Sequence, residues 1–94
     1  MSDQFGKVVW QDLTVQNAGE VRDFYSAVIG WTVQDEDMGE YQDYSMIPAA
    51  GGNPAAGVCH ARGTNANVPP VWLPYVLVPD VAAAASKARE LGGE

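Results

Sequence analysis

Positive charge is what this sequence has least of. Five Lys and Arg stand against twelve Asp and Glu, a formal net charge of −7. Such a balance repels phosphate backbones and anionic lipids, which excludes nucleic acid and membrane as main partners. Cysteine is nearly absent: Cys59 has no partner in the chain, and a lone thiol fits a reducing cytoplasm. A buried, inert Cys59 outweighs a nucleophilic one. His60 is the only histidine, so any imidazole chemistry must use it. No apolar run approaches the roughly 20 residues of a membrane span, and the polar start MSDQFGK is no secretory signal.

What is present builds one modest domain. The chain has 94 residues, 47% of them hydrophobic, enough for a folded core. Its organising stretch is NAGEVRDFYSAVIGW, from Asn17 to Trp31. Asn17 and Glu20 have capping-box spacing. Val21, Phe24, Tyr25, Val28 and Ile29 then form one apolar helical face. Gly30 stands where a left-handed terminator is wanted, and Trp31 can fold back on the last turn. Before the helix, Val8 to Val15 is rich in β-branched residues and reads as a strand. On it Val9, Leu13 and Val15 share the face expected under the helix, and Val8, Trp10, Asp12 and Thr14 share the other.

The remainder alternates strands and loops. Trp31 to Gln34 reads as a strand ending in an acidic turn, Asp35 to Glu40, and Tyr41 to Ile47 as its returning partner. Pro48 to Pro54 is a Gly- and Pro-rich loop, Ala56 to Arg62 a short strand, and Gly63 to Pro70 a stiff linker. Residues 1–6 read as a loose terminus. Val71 to Val78 is again a strand, and Asp80 caps an alanine-rich helix running to about Leu91, whose small residues suggest close packing on the sheet.

A shift of 63 positions lays Leu13 on Val76, Asn17 on Asp80 and Gly30 on Gly93. Cap falls on cap and terminator on terminator, so the chain carries an internal repeat. Strand–helix–strand–strand–strand is complete once and only begun again, which reads as a second unit cut short. The expected division is a first module over residues 1–62, a linker over 63–70, and the start of a second module over 71–94.

The strand VVWQDLTV, the block FYSAVIGW and the later VLVPDV with its helix ending LGG resemble the vicinal oxygen chelate superfamily, which includes glyoxalases, bleomycin-resistance proteins and extradiol dioxygenases. The resemblance implies an α+β fold of paired βαβββ modules enclosing a cleft. Its sheet would be mainly antiparallel with both helices on one side, and many such proteins are homodimers. In metal-using members, the first strand of each module carries a His, Gln or Glu five residues before its closing valine. Here those positions hold Trp10 and Leu73, neither of which offers a lone pair to a cation. A third position falls near Cys59 or His60 and a fourth beyond Glu94. No metal or other cofactor is therefore expected.

Candidate residues follow. Asp12 and Tyr75 coincide under the repeat and should face the cleft beside Trp10 and Leu73. They form either a polar pair in a ligand pocket or a hydrogen bond holding two modules together. His60 is a cleft proton donor or an ordinary half-buried histidine. Arg62 and Asn65 bind an anion or anchor a loop. Tyr44, with Tyr41 and Met46, is core or cleft wall. Asp35, Asp37 and Glu40 lack the register of a calcium loop and read as a solvated turn. Two functions stay open. One is a metal-free protein that binds a small molecule through Trp10, Tyr44, Leu73, Tyr75 and Arg62. The other is a glyoxalase- or epimerase-like enzyme with Asp12 or His60 as general base. A structural or regulatory dimer domain is a third class.

Overall fold

The computed structural model describes residues 4–94. Strand β1 spans Val8–Val15 and leads into helix α1, Ala18–Ile29. Strands β2 (Thr32–Asp37), β3 (Gln42–Ile47) and β4 (Ala56–His60) follow. After a 3-10 turn at Gly63–Asn65 come β5 (Trp72–Val76) and α2 (Val81–Glu90). The five strands form one sheet in the order β2-β3-β4-β1-β5. Three of its four pairings are antiparallel, and β1 with β4 is parallel. This is the α+β layout of a βαβββ module, followed by one further strand on its edge and a helix.

The register of β1 against β5 carries the repeat into three dimensions. Gln11 lies opposite Pro74, its own counterpart under the 63-residue shift. The two first strands are thus related by a local two-fold axis between those residues. Pro74 has no amide hydrogen to give, and an edge strand tolerates that loss. A register shift between Val8 and Trp10 interrupts the ladder at its outer end.

The core lies where α1 crosses the sheet. Ala18, Tyr44, Met46, Ala56 and Val58 are buried together, with Val15, Val21, Trp31 and Trp72 packed around them. Leu13 pairs with Val58 on this face, so the strand face expected under the helix is the one found there. Val9 is not covered; it sits at the irregular end of β1 and is 48% exposed.

Several expectations need correction. The acidic turn expected over Asp35–Glu40 is shorter than that: Asp35, Glu36 and Asp37 are strand, paired with Tyr44, Asp43 and Gln42, and the chain reverses over 38–41, where the Met38 amide donates to the Tyr41 carbonyl. Strand β2 is an outer strand of the sheet, and charge there discourages pairing with another chain. The Asn17 side chain makes no capping bond; only its carbonyl accepts, from the Val21 amide. Of the predicted helical face, Val21 and Tyr25 turn inward, while Phe24, Val28 and Ile29 stay exposed. The sheet beneath α1 is too narrow to cover both flanks. Helix α2 buries no residue and stands off the sheet, because β5 is the last described strand and offers no surface beyond it. The left-handed residue ending α2 is Gly92, one before the expected Gly93, whose amide donates to the Ala88 carbonyl. Of the terminus expected to be loose, residues 1–3 lie outside the described residues, and the Gly6 amide donates to the Leu77 carbonyl.

Candidate functional site

Alternation sends Trp10, Asp12 and Thr14 to the sheet face opposite α1. Across the ladder Trp10 pairs with Tyr75 and Asp12 with Leu73. The Trp10 Nε1–H donates to Asp12 Oδ2 at 3.3 Å and the Tyr75 hydroxyl to Asp12 Oδ1 at 3.3 Å. One carboxylate therefore ties two aromatic side chains from different strands. Gly57 makes the arrangement fit. A Cβ there would stand 3.2 Å from both Trp10 Cζ2 and Asp12 Cβ, so the indole lies against bare backbone. The four residues expected to meet here do meet, on an open sheet face.

Cys59 and Asp43 complete the charge pattern of this side. Burial, and then the charges of Asp43 and Asp12, push the Cys59 thiol up to about 12. Burial also raises Tyr75, followed by the charge and hydrogen bond of Asp12. Both groups stay neutral at physiological pH. Asp43 is buried, and its Oδ1 accepts the His60 amide at 2.8 Å. Neither Asp43 nor Gly57 was singled out from sequence. The signal for Asp43 was an acid set between Tyr41 and Tyr44 in a strand; for Gly57 it was a lone glycine inside a strand.

His60, Tyr44 and Arg62 do not join this face. Tyr44 is 9% exposed in the core, with Arg22 Cζ 4.5 Å from its ring centroid. His60 packs against Tyr44 and Tyr41, ring centroids 5.8 and 5.6 Å away. Arg62 lies over Tyr41 at 4.3 Å, anchoring the linker. The reason is periodicity: Gly57 faces Asp12, so His60, three residues on, faces away. Its Nδ1 is buried 3.4 Å from Asp43 Oδ1 without hydrogen-bond geometry. Asp12 and His60 are therefore on opposite faces and cannot act on one substrate atom. The helix side has its own groove of about 390 Å³, walled by Tyr25, Ile29, Trp31 and Trp72, with Gln11 and Pro74 at the local axis.

The described residues do not fit the metal that the resemblance implies. Trp10 and Leu73 occupy two of its positions without a donor atom, and His60 is turned away. Among the described residues, no three His, Cys, Asp or Glu side chains group closely enough to hold an ion. None of the described helices is long and apolar enough to cross a membrane.

A module of this topology, with a polar and aromatic cluster on the face away from the helix, defines a class. A profile of the Glyoxalase/Bleomycin resistance protein/Dioxygenase superfamily matches residues 5–94, and the chain belongs to that superfamily. It is 31% identical over 86 residues to proteins named "Putative glyoxylase CFP32" from Mycobacterium bovis and Mycobacterium tuberculosis, covering 90% of this chain and 33% of each of theirs. It is 33% identical over 88 residues to the "Anthracycline biosynthesis protein DnrV" of Streptomyces peucetius, covering 94% of this chain and 31% of that one. The chain thus spans about a third of the length of the curated relatives it matches. No solved structure matches it.

Proposed function

We propose that the face carrying Trp10, Asp12, Leu73 and Tyr75 is the floor of a small-molecule binding cleft that works without a metal. The observation that carries this reading is the single carboxylate holding an indole and a phenol side by side over Gly57. Aromatic side chains supply contact area and stacking to a ligand at little entropic cost. Tying their polar edges to Asp12 fixes their orientation in advance. A second sheet closes the cleft, supplied by further chain or by a partner copy in a homodimer. Tyr75, 46% exposed on the face itself, is available to such cover.

The names of the mycobacterial relatives favour a second reading, a glyoxalase- or epimerase-like lyase or isomerase with Asp12 as base. It is the weaker one. The described residues offer no electrophile to stabilise an enediolate. Titration with the planar dye proflavine, followed by fluorescence, and turnover of the methylglyoxal–glutathione adduct separate the two. Binding lost in Trp10→Ala, with no turnover, is the expected result. Turnover abolished by Asp12→Asn would establish the enzyme instead.

A further inference from the structure

The floor of the cleft has a sign as well as a shape. Its acidic side chains are Asp12 and, buried beside Cys59, Asp43. Among the described residues no Lys or Arg pairs with either, and the imidazole nearest Asp43, that of His60, lies 3.4 Å from its Oδ1 without hydrogen-bond geometry. Arg22 is bound to Asp23 and lies over Tyr44 on the helix side. Arg62 is committed to Tyr41, and Lys87 pairs with Glu90 on α2. The hydrogen bonds from Trp10 and Tyr75 are neutral donors; they orient the Asp12 carboxylate and leave its charge uncompensated. The aromatic rings add to the same preference, since a π-face attracts cations and repels anions. Two groups beside Asp12 already register this field: Cys59 and Tyr75 are both held in their neutral forms partly by its charge. What disfavours a thiolate and a phenolate there favours a cation and disfavours an anionic guest.

We propose that the cleft selects planar organic cations, such as protonated aromatic amines, that stack on Trp10 and Tyr75 while an N–H donates to Asp12, and that it rejects anionic ligands of the same shape. This rests on the binding reading above and adds the charge of the ligand to it. It also counts against an anionic glutathione adduct as the natural occupant.

Three rings of one size test it at neutral pH: proflavine, a cation; acridone, neutral; and acridine-9-carboxylate, an anion. Proflavine should bind about tenfold more tightly than acridone, and the carboxylate about tenfold more weakly. Salt should weaken proflavine alone. Asp12→Asn keeps the size of the side chain and should bring proflavine to within about threefold of acridone, the two being compared within the variant so that any loss of stacking common to both cancels. Asp35→Asn, which removes one charge from exposed β2, should leave the ratio as it is and so separates the site from the general field. Equal binding of all three rings, or a ratio untouched by Asp12→Asn, overturns the charge selectivity while sparing the cleft. Failure of every ring to bind overturns the binding reading and this proposal with it. Should Asp12→Asn lose its native circular dichroism, Tyr75→Phe serves instead. Removing the hydroxyl frees Asp12 Oδ1 for the guest, so proflavine binding is retained or improved; loss of the cation preference in this variant also contradicts the proposal.

Discussion

At the scale of single residues, the site is a matter of what stands next to Asp12. Glycine at position 57 admits the indole, Trp10 and Tyr75 supply donors, and Cys59 lies within the field of two carboxylates. The Cys59 thiol is raised from its ordinary 9.0 to about 12, and this has a consequence for stability. Between those values the unfolded chain releases its proton while the native protein keeps it, so the native state binds more protons. Stability contributed by the protonated thiol is complete below pH 9.0 and is lost as pH rises toward about 12. Urea denaturation across that range should show the midpoint falling, and falling less in Cys59→Ala. An identical decline in the variant would mean that the thiol is not the group responsible. Trp10, Asp12 and Tyr75 were legible as neighbours because the repeat and strand alternation both operate on residue number alone. Gly57 and Asp43 were not, since the value of each depends on what faces it from another strand.

At the scale of elements, propensity located helices and strands, and tertiary context decided their ends and faces. The acidic stretch Asp35–Asp37 resembles a turn by composition, yet a hairpin partner holds it in a strand. The two helix starts look alike in sequence and behave differently. Asp80 accepts the Ala83 amide at 3.0 Å, whereas Asn17 sits at φ −102° and ψ 49° and its side chain caps nothing. At the other end Gly30 has φ +86° and donates its amide to the Ser26 carbonyl, and any L side chain there is strained. Asn17→Ala should therefore change stability by less than about 0.5 kcal/mol, and Gly30→Ala should cost about 1 kcal/mol or more. Thermal denaturation of the two variants checks this. A larger loss from Asn17→Ala than from Gly30→Ala would show that the cap forms in solution.

At the scale of the whole molecule, the antiparallel meeting of β1 and β5 sets the proposed site apart from the scaffold. It places repeat-related residues on either side of one axis and gives the sheet two unlike faces. One is covered by α1 and holds the core, the Tyr41–His60–Tyr44 cluster and the Trp31–Trp72 groove. The other holds Trp10, Asp12, Gly57, Leu73 and Tyr75. Sequence reasoning gathered His60, Tyr44 and Arg62 with the second set because it had no register for β4 against β1. That register divides them.

The three tryptophans report on these faces separately, which allows a direct test. In a ¹H–¹⁵N correlation spectrum each indole N–H gives its own resonance, assigned by replacing Trp10, Trp31 and Trp72 with Phe in turn. Titration with proflavine should shift the Trp10 indole, whose proton points at Asp12, and leave those of Trp31 and Trp72 where they are. Movement of the Trp31 and Trp72 signals with Trp10 unmoved would place the ligand in the groove beneath α1 and contradict the account.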